Sequence, residues 1–226
     1  TFLDGGVFDN LPISLLAEKG FKNIIAVRLV RKGLKKWENR SDLNITLIKP
    51  NESLGNMLDF TKERAINNIN LGYYDTLRVF KGYQGSRYYL NGCPDDDYFL
   101  HILLQMDKTG LNRLRKQLGI RNMPEKRFIL EKLVPLLVDM LSLGHTASYR
   151  DILISILERA AAKTAVNRFE VYEYKKLEQM VIESYRLNHQ APLPGLLKGN
   201  ELLLRAKKEQ FLDEITEILF NGIKQN

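Results

Sequence analysis

One cysteine, three histidines and one tryptophan occur in 226 residues, and each scarcity excludes something. Cys93 has no intramolecular partner, so no internal disulfide forms, which fits a reducing, cytoplasmic setting. His101, His145 and His189 lie far apart and show no metal-ligand spacing, and no His-Glu-x-x-His occurs. Neither a metal nor any other cofactor is expected. No run approaches the ~18 apolar residues of a membrane span, and no basic-then-apolar leader is present. Phosphate-binding glycine loops and fixed-period repeats are also missing. Nucleic acid is not an expected partner, because no reading helix or base-stacking motif accompanies the basic residues.

What is present is ordinary for a globular chain: 44% apolar and 27% charged residues. The net charge of +7 is uneven, with 14 Lys and Arg against 9 Asp and Glu in residues 1 to 92, and 20 against 18 beyond. Much of the excess falls in one stretch, Arg28, Arg31, Lys32, Lys35, Lys36 and Arg40, interrupted by Trp37. Such a stretch is either a solvated connector or a peripheral contact with anionic membrane, where each cation near the surface adds ~1 kcal/mol.

The chain is organised around its first dozen residues, Thr1-Phe2-Leu3-Asp4-Gly5-Gly6-Val7-Phe8-Asp9-Asn10-Leu11-Pro12. Phe2 and Leu3 read as the end of a buried strand, and a carboxylate comes next where the chain must turn. Two successive glycines permit positive φ and close approach of another group. One reading is a tight Asp-Gly turn. The other is a general base presented at a strand end, with Asp4 aimed at a hydroxyl.

Beyond the motif, Asn10 and Pro12 suit a helix start and Gly20 its stop. Asn23 to Val30 is rich in Ile and Val and reads as a strand buried on both faces. Leu43 to Ile48 reads as a second strand, ended by Pro50. From Thr61 a helix is expected, with Ala65, Ile66, Ile69, Tyr73, Leu77 and Phe80 at helical spacing as its core face. Glycine, tyrosine and turn residues between Lys81 and Pro94 mark a boundary, dividing the chain into 1–92 and 93–226.

The second part reads as all helical. Asp95, Asp96 and Asp97 open one helix as caps, with a metal cluster as the weaker alternative. A helix from Glu125 to Leu141 is expected to kink at Pro135. Others are marked by Ile152, Ile156, Leu157 and Ala160, then by Phe169, Leu177, Met180, Val181 and Tyr185. The last is expected from Glu201 to Gly222.

The string Asp4 to Pro12, leading into a short helix and the strand Ile24-Ile25-Ala26-Val27, resembles the aspartate motif of the patatin-like phospholipases. A second block, Leu54 to Phe60 and then Asn70-Leu71-Gly72-Tyr73-Tyr74-Asp75-Thr76-Leu77, is similar to the segment downstream of that motif in bacterial members. The resemblance covers residues 1 to 90. It implies an α/β fold, the C-terminal part of a patatin-like α/β/α domain followed by an all-α region. It also implies a serine acyl hydrolase with a Ser/Asp dyad, in which Asp4 acts directly on the serine and lipid or other acyl esters are the substrates. The nucleophile's Gly-x-Ser-x-Gly is missing: Gly85-Ser86-Arg87 lacks both flanking glycines in register. The expectation is therefore the C-terminal part of a longer protein, carrying Asp4, Gly5 and Gly6 but inactive alone. The alternative is a non-catalytic helical module attached to a remnant α/β half.

Overall fold

A computed structural model describes residues 11–29, 41–56, 61–120, 122–164, 166–188 and 201–223. It is a mixed helix-and-strand chain that divides into two compact units, Thr1–Tyr89 and Leu90–Asn226.

In the first unit a short helix, α1 (Ile13–Glu18), leads into strand β1 (Asn23–Val27), which pairs in parallel with β2 (Asn44–Ile48). The register sets Asn23 opposite Asn44 and Val27 opposite Ile48. The two asparagine side chains are joined by a 3.0 Å hydrogen bond. One face of the pair carries Ile24 and Ala26, packed with Ile13 of α1 and with Leu11, Leu43, Ile45 and Leu47. Pro12 is the N-cap of α1, one position earlier than the first turn, and no side chain caps the helix. Asn10 lies outside the described residues. The stop is as expected: Gly20 at φ +88° bonds back to Ala17, and Phe21 N–H bonds to Leu16, a paired closure that satisfies two orphan carbonyls.

Two expectations for this unit are corrected. β1 is not buried on both faces: Ile24 and Ala26 are buried while Ile25 and Val27 are exposed. Alternation, with one face packed on α1, replaces the double burial of an interior parallel strand. The second correction concerns α2 (Lys62–Lys81), which begins after Thr61 as predicted and closes on Gly82 at φ +71°. Its expected core face is turned outward: Ile66, Ile69, Tyr73 and Phe80 are exposed, and Leu77 is half-buried. The helix buries the opposite side, Leu71 and Asp75. Periodicity groups side chains on a face but does not say which face meets the partner. Here the partner side is chosen by polar anchoring at Asp75.

A short strand, β3 (Tyr89–Asn91), whose last two residues open the second unit, pairs with β4 (Val171–Glu173). Between and after them stand α3 (Asp96–Leu104), α4 (Lys108–Gln117), α5 (Glu125–Phe128), α6 (Val134–Met140), α7 (Tyr149–Ala161), α8 (Tyr174–Asn188) and α9 (Glu201–Gly222). α7 is the hub, with α3, α8 and α9 packed on it. It presents Ile152, Ile156, Leu157 and Ala160 to the core, and it starts with a reciprocal cap between Ser148 and Asp151. Asp95 caps α3 by accepting from Tyr98 N–H at 3.0 Å. Gly110 of α4 leaves the space that a Cβ would need within 2.4 Å of Ile218 Cγ1, so α4 and α9 approach closely there.

The all-helical expectation for this part is corrected by β4. Val171-Tyr172-Glu173 is extended, with Tyr172 buried between two exposed neighbours, and Phe169 precedes the strand instead of opening a helix. Three residues with a β-branched and an aromatic side chain are too few to show a period in the sequence. Pro135 acts through a wider turn. Lacking an N–H, it cannot bond back to Glu131, and residues Ile129–Leu133 widen into a π turn between α5 and α6. Among the described residues no helix is long and apolar enough to cross a membrane.

Candidate functional site

Asp4, Gly5 and Gly6 lie outside the described residues, as do Arg31, Lys32, Lys35, Lys36 and Trp37 of the basic stretch. The described residues supply the frame immediately downstream of the motif: Leu11 and Pro12, then α1, then the parallel pair. Ile13 is fastened to this frame by burial and by its N–H bond to the Leu11 carbonyl at 2.7 Å. The chain leaving the motif is thus tied into the core within a few residues.

The first unit contains one buried carboxylate among its described residues, Asp75. It accepts from Arg78 Nη1 at 2.7 Å, from the Asn51 backbone N–H at 3.0 Å and from the Tyr89 hydroxyl at 3.3 Å. Arg78 also donates to the Ser86 and Tyr88 carbonyls and lies over the Tyr89 ring, 4.3 Å from its centre. These contacts tie α2 to the loop after β2 and to the turn before β3. Three donors occupy most of a carboxylate's acceptor capacity, so Asp75 serves as an anchor and has little left to offer a reacting group.

The second unit gathers Tyr98 of α3 with Tyr174, Lys175 and Glu178 of α8. Glu178 is buried and accepts from Tyr174 at 2.9 Å, from Lys175 at 2.9 Å and from Tyr98 at 3.2 Å. Lys175 also donates to the Tyr98 hydroxyl, its Nζ standing 3.9 Å from the centre of that ring. The cluster forms one wall of an open groove of about 1110 Å³, whose rim adds Lys108, Glu125 and Glu183. Burial, reinforced by the Glu178 charge and the hydrogen bond to it, pushes the Tyr174 phenol far above its usual range. It therefore stays protonated and is neither base nor nucleophile near neutral pH.

Cys93 is equally unreactive by position. Burial pushes its thiol up to about 11, against an opposing pull from Arg150 and with further upward pressure from Glu173 and Glu158. A thiol in that state is not the nucleophile of a hydrolase at neutral pH. Among the described residues no group of three or more His, Cys, Asp and Glu is arranged to hold a metal ion.

Sequence reasoning singled out Asp75 only as part of a motif block, and it missed the Glu178 cluster. A signal existed for both. Asp75 stands one turn after buried Leu71, and Glu178 shares the buried face of Leu177, Val181 and Ile182, so each is a carboxylate placed where the helical period calls for an apolar residue. Arg78, Tyr174 and Lys175 lie within one turn of the carboxylates they serve, but the distant partners Asn51, Tyr89 and Tyr98, 14 to 80 residues away, carried no such signal. No family model, no curated protein and no solved structure matches the chain.

Proposed function

We propose that this chain carries the aspartate half of a patatin-like lipid acyl hydrolase, with Asp4 as the base of a Ser/Asp dyad whose serine lies outside these 226 residues. The observation that carries the reading is the motif Asp4-Gly5-Gly6-Val7-Phe8-Asp9-Asn10-Leu11-Pro12, running directly into a helix and a parallel strand pair. That order supports the C-terminal part of a patatin-like α/β/α domain. In the implied reaction Asp4 takes the serine proton as the serine oxygen attacks the ester carbonyl. The proton passes to the departing alcohol, and water that Asp4 helps activate then hydrolyses the acyl-enzyme. Of the four groups described above, none competes for this role: Tyr174 and Cys93 are held protonated, and Asp75 and Glu178 are engaged by their own donors.

The test is ester turnover by the full gene product and by its Asp4→Asn variant, on short-chain esters and on phospholipid. Asp4→Asn is expected to lower turnover by ~10²-fold or more, the scale of a lost general base. Unchanged rates in that variant overturn the reading. The 226-residue chain alone is expected to turn over no ester, and activity there would place the nucleophile elsewhere.

A second reading, a helical interaction module without chemistry, is favoured by the open groove of the second unit, which is lined by side chains that already satisfy one another. An inactive full gene product with an intact fold would select it.

A further inference from the structure

The exposed face of α2 carries more order than a scatter of surface apolar residues. Ile66, Ile69, Tyr73, Leu77 and Phe80 succeed one another at spacings of three, four, four and three. At about 100° per residue they share one narrow stripe centred on Tyr73, on the side away from buried Leu71 and Asp75. Ile69 is 70% exposed and Tyr73 61%, with Ile66 and Phe80 each at least half exposed. Thr76, beside the stripe, satisfies its hydroxyl within the helix on the Gly72 carbonyl at 2.7 Å. The Tyr73 hydroxyl at the centre is the one polar side-chain group of the stripe itself.

The spacing is palindromic about Tyr73. Two such helices laid antiparallel across a two-fold axis place Tyr73 against its own copy, Ile69 against Leu77 and Ile66 against Phe80, each pair twice. The charges agree with the same operation. Glu63 and Lys81 lie on one flank of the stripe, near opposite ends of the helix, so the axis brings each beside the other's copy. Antiparallel helix dipoles also oppose each other favourably. Self-complementarity of shape and charge under one two-fold is the signature of an isologous contact.

The geometry points to α2 as a homodimer interface: a second copy of this chain covers the Ile66–Ile69–Tyr73–Leu77–Phe80 stripe, antiparallel, with two Glu63–Lys81 pairs at the rim. Neither Asp4 nor any proposed reacting group takes part; the contact requires that the stripe, which belongs to the unit that the acyl-hydrolase reading completes from outside these residues, is uncovered in the full gene product as well.

Sedimentation velocity of the full gene product and of the 226-residue chain, each over a concentration series, provides the first test. The wild type is expected to approach twice the chain mass and to dissociate on dilution, while Ile69→Glu stays monomeric with unchanged helical circular dichroism. The charge swap Glu63→Lys is expected to weaken dimerisation by about 3- to 10-fold, the scale of two exposed pairs, and Glu63→Lys with Lys81→Glu to restore it. A second measurement fixes the axis. With Cys93→Ser as background, Tyr73→Cys is expected to give a disulfide-linked dimer on mild oxidation, whereas Val79→Cys, exposed on another side of α2, is not. A wild type that is monomeric at every concentration, an Ile69→Glu variant that dimerises undiminished, or equal cross-linking at 73 and 79 would each overturn the proposal. Unfolding of Ile69→Glu would also overturn it, since the stripe would then be covered within the chain.

Discussion

Arg78 Nη1 donates a 2.7 Å hydrogen bond to the Asp75 carboxylate one turn earlier in α2, and Asp75 is only 2% exposed. This pair decides which side of α2 faces inward. Asp75→Ala leaves Arg78 without its carboxylate and the Asn51 N–H without its acceptor. The expected loss is about 3 kcal/mol, the cost of removing one partner of a buried pair. Denaturant unfolding followed by circular dichroism measures it, and a change under about 0.5 kcal/mol, the range of ordinary surface substitutions, would show that the network contributes little.

Ser142 is the one non-glycine residue of the described set with positive φ, at +55°. It closes α6 with its N–H on the Asp139 carbonyl, and Leu143 N–H bonds to Val138. A side chain in the left-handed region costs about 1 kcal/mol that glycine avoids. Ser142→Gly is expected to raise stability by somewhat less than this, because glycine also gains freedom in the unfolded chain. Thermal unfolding reads the difference. Ser142→Val should lower the midpoint.

Asp213 of α9 receives Arg159 Nη1 at 2.6 Å and Lys163 Nζ at 2.5 Å from α7 and the turn after it. Burial pushes its carboxyl upward, but the two hydrogen bonds and charges outweigh burial and hold it below the usual range. A carboxyl with a depressed folded-state pKa adds stability that is complete above its unfolded value, about 4, and is lost as pH falls through the lower folded value. Asp213→Asn should therefore destabilise the chain at pH 7, and the gap to wild type should shrink steadily below about pH 4. A gap independent of pH between about 7 and 3 would assign the effect to packing.

Cys93, with its thiol pushed up to about 11, is expected to react with iodoacetamide at about pH 8 far more slowly than an exposed cysteine. Arg150→Ala removes the opposing positive charge and should slow the reaction further. Labelling at the rate of a free thiol would contradict the burial assigned to this residue.

Local chemistry was readable from residues alone. Gly20 closes its helix as expected, Asp95 caps α3, and the helix expected to kink at Pro135 is interrupted just before that residue, though as a π turn that the sequence did not announce. The Asp4 motif was legible as a string, and its proposed role rests on that resemblance. The helical periods at Ile152 to Ala160 and in α9 were legible because many residues repeat the same signal.

What the sequence by itself determined is therefore local: where helices start and stop, and which side chains share a face. Tertiary structure decided which face is used. The apolar stripe of α2 points outward because a buried carboxylate with three donors, drawn from Asn51, Arg78 and Tyr89, holds the other side in. β1 hides one face because α1 packs on that face, and Val171–Glu173 becomes a strand because β3 lies beside it. Some of the partners are near in the chain, as α1 is to β1 and Arg78 to Asp75, while others, Asn51 for Asp75 and β3 for β4, are distant. Burial and pairing are properties of two surfaces meeting, and a one-dimensional pattern describes only one of them at a time.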